Sequence, residues 1–254
     1  MIPGQREFEV FLPVGYTDQT GRIQRRATLR KMTGHEEALL YDASLTAGQL
    51  VSELLRSCLL KIGLLETLDA NLVTQLYTAD RNYLLLELRR ITLGDRLTAT
   101  YTCPRCGGSI PVVEDLGQIE VRRLPEGEAV ADIGVQLEDG YVDSQGVCHQ
   151  EVTLTLPRGV DEEFVAPLAA RNLPRAQDVL LLRCIKQFGT LPKAALEAYG
   201  IKILRDLTLS DRQRLYAALN KQMPGVNFLR AVECRQCGMT FQGVLDVTHF
   251  FTLS

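Results

Sequence analysis

Residues 101–110 read YTCPRCGGSI, and residues 233–242 read ECRQCGMTFQ. Each stretch holds two cysteines separated by two residues, Cys103 with Cys106 and Cys234 with Cys237. That spacing lets one tight turn present two thiolates to one metal ion. A structural zinc site takes four ligands, so either pair alone is incomplete. Gly107-Gly108 and Gly238 follow the pairs directly and allow the chain to turn under a metal. The pairs have 127 residues between them, far wider than a single compact zinc ribbon needs.

The flanks account for the gap. Asp80-Arg81 precedes Gly94, Cys103, Cys106 and Asp115 by 14, 23, 26 and 35 positions counted from the aspartate. Asp211-Arg212 precedes Gly225, Cys234, Cys237 and Asp246 by the same four offsets. Upstream, Cys58 leads to Gly63 and Cys184 to Gly189, five positions in each case. EFEVFLPVG (7–15) and EVTLTLPRG (151–159) both alternate and both end in Leu-Pro-x-Gly. Landmarks in one order at fixed spacing indicate an internal duplication. The sequence therefore predicts an α+β protein of two similar tandem halves, residues 1–124 and 151–254. Each half is expected to carry a strand, helices and a knuckle hairpin, with 125–150, rich in glycine and acid, as a linker.

Alternation of Phe8, Val10 and Leu12, and of Val152, Leu154 and Leu156, predicts a half-buried strand in each half. Apolar residues from Leu50 to Ile62 recur at helical spacing, with Gly63 as the cap. Ala176, Leu180, Cys184 and Phe188 mark the counterpart helix, with Pro174 in its first turn. Further helices are expected at 78–92 and 210–222, the second opened by a Ser210–Gln213 capping box.

Four thiolates predict one closed, structural zinc ion held by Cys103, Cys106, Cys234 and Cys237, with no open position for a catalytic water. A redox pair would sit at a helix N-terminus, whereas the residues after both motifs start strands. Cys148-His149 are competing ligands by type but fall in the expected linker. Cys58 and Cys184 lie on apolar helix faces and read as buried structural thiols. His35-Glu36-Glu37 reads as a solvated helix start, and His249 beside Phe250-Phe251 as part of a packed C-terminal strand. Phosphate-loop, metalloprotease and nucleophile-elbow motifs are not found, so no catalytic residue and no small-molecule substrate are predicted.

Arg89, Arg90, Arg96, Arg105, Arg230 and Arg235 cluster near the knuckles and define the alternative reading, a zinc-ribbon nucleic-acid-binding protein. The net charge of −3 and the lack of interleaved aromatics favour a rim that faces protein. No secretory signal and no apolar run of bilayer length is read, which predicts reduced cysteines in a cytoplasmic protein without membrane insertion.

DRNYLLLELRRITLGDRLTATYTCPRCGG (80–108) and VECRQCGMTFQGVLDVTHFF (232–251) resemble the T4-type phage baseplate protein family. The shared features are Asp80-Arg81, Gly94-Asp95, Cys103 to Gly107, Cys234 to Gly238, and Asp246 with Phe250-Phe251. The opening, FLPVGYTDQTGRIQRRATLRKMTGHEE (11–37), is similar to tail-assembly proteins of such systems. The resemblance implies a non-enzymatic structural or assembly protein of a contractile phage tail or related injection system. Its partners would be other baseplate, hub or tail proteins, met in the bacterial cytoplasm during assembly and in the baseplate of the finished particle.

Overall fold

The computed structural model describes residues 5–246 and 250–251, apart from residues 67 and 69. β1 (Glu7–Thr17) and β2 (Ile23–Arg30) form an antiparallel hairpin whose register shifts between Phe11 and Tyr16. Val10, Leu12, Ala27 and Leu29 are buried while Glu9, Phe11, Arg26 and Thr28 between and beside them are not, so one face of the hairpin turns inward. α1 (Gly34–Leu40) and α2 (Ala47–Cys58) follow, opened by capping boxes at Thr33 and Thr46. β3 (Leu59–Ile62) returns to pair with β2. α3 (Ala70–Gln75) is short, and α4 (Thr78–Leu93) buries Leu84, Leu85 and Leu88 against Leu12, Leu54 and Leu55 in a first core. β4 (Arg96–Thr102) and β5 (Ser109–Asp115) then form a separate hairpin, followed by β6 (Val121–Arg122).

A second three-stranded sheet has the same antiparallel order: β7 (Ile133–Val142), β8 (Cys148–Leu154) and β9 (Ile185–Phe188). α5 (Gly159–Ala169) and α6 (Leu173–Cys184) lie between β8 and β9, and α7 (Lys193–Asp206) and α8 (Leu209–Gln222) follow. Leu137, Leu154, Phe188, Leu204 and Leu215 make its core. β10 (Gly225–Val226) pairs with β6, and β11 (Leu229–Glu233) with β12 (Thr240–Val244). Leu245, Phe250 and Phe251 then return to the first core.

Several expectations are corrected. The stretch 125–150, read as a linker, contains β7 and the first residues of β8. Its alternation of Ile133, Val135 and Leu137 is diluted by glycine and acid on the solvent side. In hydrogen bonding β7, not 151–159, corresponds to β1. Asp80 accepts from the Val14 and Gly15 amides, and Asp211 from those of Glu138, Asp139 and Gly140. Asp18 accepts from the Thr20 and Arg22 amides, and Asp143 from those of Gln145 and Val147. EVTLTLPRG lies one strand later, in β8 and the start of α5.

Leu59 opens β3, Ile62 closes it and Phe188 closes β9, so these residues lie in short strands and not helices, because an uninterrupted apolar run fits either period and β2 and β8 offer open edges. Gly63 and Gly189 turn the chain at φ of 56° and 51°, beyond those strands. The cap of α8 is Thr208, which accepts from the Asp211 amide, and not Ser210. Glu36 is buried, not solvated: it accepts from Arg30, Ser57 and the Thr33 amide.

Candidate metal centre

β4 delivers Cys103 and β11 delivers Cys234, each into a turn of the same form. The Cys103 amide donates to the Gly108 carbonyl at 2.9 Å, and the Gly107 amide to the Cys103 carbonyl at 2.9 Å. In the second knuckle the Cys234 amide donates to Met239 at 2.9 Å, and the Gly238 amide to Cys234 at 2.8 Å. Gly107 and Gly238 both sit at φ 70°, the left-handed conformation that closes each turn without a Cβ penalty.

The two hairpins meet around Tyr101, Ile110 and Val232, which bury Cys103 and Cys234. The Tyr101 ring lies on Gly243, where a Cβ would come within 2.6 Å of it. Its hydroxyl donates to Glu114 at 2.7 Å, and Glu114 also faces Arg230 at 3.4 Å. Tyr101 and Gly243 set how closely the hairpins approach, and the sequence reading passed over both. An aromatic two residues before a knuckle cysteine, with a glycine in the other hairpin, was the available signal.

This packing brings the four sulfurs together. Cys103 Sγ lies 3.6 Å from Cys237 Sγ, Cys106 Sγ lies 3.6 Å from Cys234 Sγ, and all four are within 4.8 Å of one another. Zinc–sulfur bonds of about 2.3 Å in a tetrahedron put sulfurs roughly 3.8 Å apart, so the cluster fits one tetrahedral zinc. The Cys106 and Arg105 amides aim at Cys103 Sγ and draw its pKa down to about 6. The Gly108 amide favours a Cys106 thiolate, but the Cys234 sulfur beside it pushes the thiol up to about 11. Four crowded sulfurs thus share negative charge poorly unless a cation sits among them, which is the chemistry of a metal-ligand set. The four sulfurs can hold one metal ion, and four thiolates would complete the tetrahedral sphere of a zinc ion placed there.

The remaining candidates lie elsewhere. His149 bonds Asp143 at 3.2 Å through Nε2 and receives the Thr190 amide at 3.3 Å on Nδ1, while the Cys148 thiol faces the Asp139 carbonyl. Cys58 and Cys184 are buried, and burial pushes both thiols up to about 12. His249 lies outside the described residues.

The arginines divide. Arg89 donates to the Gly94 and Arg96 carbonyls, Arg90 to Glu87 and Asp95, and Arg230 faces Glu114. Arg96, Arg105 and Arg235 are exposed. Among the described residues no helix is long and apolar enough to cross a membrane.

The family model for the T4 bacteriophage base plate protein matches residues 7–252, nearly the whole chain. Neither a curated protein nor a solved structure matches it.

Proposed function

Because the chain belongs to the T4 bacteriophage base plate protein family, we propose that it is a non-enzymatic structural or assembly component of a contractile tail, in a phage or a related injection system. It works by docking hub, spike or other tail proteins on a scaffold clamped by one zinc ion at Cys103, Cys106, Cys234 and Cys237. It meets these partners in the bacterial cytoplasm during assembly and stays with the baseplate.

The observation that carries this reading is the closed four-sulfur cluster, which leaves a metal no open position for substrate or water. Such a site contributes its binding free energy to folding. The matching sheets, knuckles and aspartate–amide bonds further support two diverged copies of one unit, the second opening at β7. The zinc then joins the hairpins that follow each copy.

Co-expression with hub, spike and tube proteins of a contractile tail is expected to give a salt-tolerant complex. Tight duplex-DNA binding with a steep salt slope, and no tail complex, overturns the reading.

A further inference from the structure

We propose that β4 and β12 flank a docking cleft that takes an extended segment of a partner baseplate protein as an added β-strand. The inference rests on the proposed baseplate role and names the surface that serves it.

Backbone alternation fixes which groups each hairpin leaves unpaired along the strands that line the cleft. The Cys103 amide bonds Gly108, so Tyr101 with Ile110 and Ala99 with Val112 are the hydrogen-bonded pairs of the first hairpin. Thr98, Thr100 and Thr102 therefore turn their amides and carbonyls away from β5. In the second hairpin Cys234 bonds Met239 and the Leu245 amide bonds Phe228. Thr240, Gln242 and Val244 likewise turn away from β11. Among the described residues, none of these six has a backbone hydrogen bond on that side. The two strands line one cleft of about 610 Å³, formed by residues 97–102 of β4 and 241–246 along β12.

Free strand edges are ordinarily blunted by charge or proline. The other two edges of these hairpins are: Pro111 removes an outward donor from β5, and Glu233 puts an exposed charge on β11. Along their length β4 and β12 carry no such guard: none of the six outward positions is charged or proline, and exposed charges stand only at the ends, at Arg96 and Asp246. The Arg96 carbonyl is already taken by Arg89.

Unguarded rows of donors and acceptors on both walls select an occupant that has free backbone groups on both of its sides, an extended strand. A helix has spent those groups internally, and a phosphate backbone finds no cation at the six positions. The exposed side chains at the six positions are threonine, glutamine and valine, with Pro104 and Asp246 at the ends of the cleft, which fits a segment whose central residues are uncharged and β-prone.

The test uses the full chain co-expressed with the hub, spike and tube proteins of its tail, and compares parent, Thr100→Lys with Gln242→Lys, and Val113→Lys on the guarded edge. Each variant is first checked for unchanged zinc content. Hydrogen exchange is expected to show the amides of Thr98, Thr100, Thr102, Thr240, Gln242 and Val244 slowed in the complex. The cleft double variant is expected to weaken the complex roughly tenfold or more, and Val113→Lys to leave it unchanged. A complex with no protection at these amides and no response to the double variant overturns the inference and leaves the baseplate role standing. Absence of any tail complex overturns both. A chain that self-associates through these edges, and becomes monomeric with the double variant, replaces the partner segment by a second copy and also overturns it.

Discussion

Arg81, fully buried in α4, gives its Nε to Glu162 of α5 at 3.2 Å, across 81 positions of sequence. Its counterpart Arg212 pairs closer to home, with Asp178 at 2.6 Å. Both arginines also donate to a carbonyl eight residues earlier, Val73 and Leu204, each at 3.1 Å. The position in α2 that matches Asp178 is Ser52, which accepts from Arg81 at 2.9 Å and bonds Glu163. Lacking a carboxylate in its own helix pair, Arg81 takes one from α5 and ties α4 to α5.

Removing that tie is expected to be expensive. Arg81→Ala removes a fully buried guanidinium, leaving half-buried Glu162 without its cation and Ser52 and the Val73 carbonyl without their donor, a loss of roughly 3 kcal/mol, the low end for a broken buried pair. Arg212→Ala is expected to cost less, because Arg212 is partly exposed and Tyr216 still bonds Asp178 at 2.9 Å. Urea midpoints at equal m-value measure both. Equal losses in the two variants would mean that α5 does not depend on Arg81.

Two buried carboxylates set opposite pH dependences. Burial raises Asp80 from 3.8 to about 6, against the Val14 and Gly15 amides that favour its charge. Between those values the folded state holds more protons than the unfolded one, so stability falls as pH rises from about 4 to about 6. The fall amounts to roughly 3 kcal/mol at 1.36 kcal/mol per unit. Arg30 holds the Glu36 carboxyl well below its usual range, so its contribution is present above 4.5 and is lost as pH falls. Asp80→Asn is expected to flatten the limb between pH 4 and 6, read as the difference between variant and parent in saturating zinc. Parallel curves would remove Asp80 as the cause.

The zinc prediction follows from the shared cluster. Elemental analysis is expected to give about one zinc per chain, and X-ray absorption only sulfur in its first shell. Replacing Cys103 and Cys106 by serine is expected to lose as much metal as replacing Cys234 and Cys237. Either loss costs several kcal/mol, because a structural zinc binds with on the order of 10 kcal/mol or more. Full zinc after removal of one pair would show that the knuckles do not share a metal.

Much of this was legible in the sequence, because thiolate chemistry and tight turns tolerate few substitutes. Cys103, Cys106, Gly107 and their partners at 234, 237 and 238 could be paired by spacing alone, and Asp80 and Asp211 by their offsets. The strands were harder. EVTLTLPRG copies the letters of EFEVFLPVG, yet the backbone amides that Asp211 requires belong to Glu138, Asp139 and Gly140. Letter similarity at strand ends is cheap, since any half-buried strand alternates and many end in proline and glycine. Glu36 was misread for the opposite reason. A carboxylate in a helix start is normally solvated, and only the fold brings Arg30 and Ser57 to it. Open edges are invisible in sequence, because they depend on which strands find partners.

The same correspondence makes one substitution close to neutral where burial alone would forbid it. His149 is buried and holds Asp143 Oδ2 at 3.2 Å; Gln24 holds Asp18 Oδ2 at 2.7 Å in the matching turn. Both side chains run under a glycine of positive φ. A Cβ on Gly189 would lie 2.6 Å from His149 Nδ1, and one on Gly63 would lie 2.1 Å from Gln24 Oε1. A glutamine amide therefore already does this job in this turn shape. His149→Gln is expected to cost less than about 1 kcal/mol, since donor and acceptor are both replaced. His149→Ala strips a partner from Asp143 and opens a gap beneath Gly189, and is expected to cost roughly 1–3 kcal/mol. Neither variant is expected to change the zinc content, because the metal cluster contains no histidine. Thermal unfolding and elemental analysis of the two variants decide the matter. If His149→Gln destabilises as much as His149→Ala, the two turns are alike only in outline; if it releases zinc, His149 belongs to the metal site.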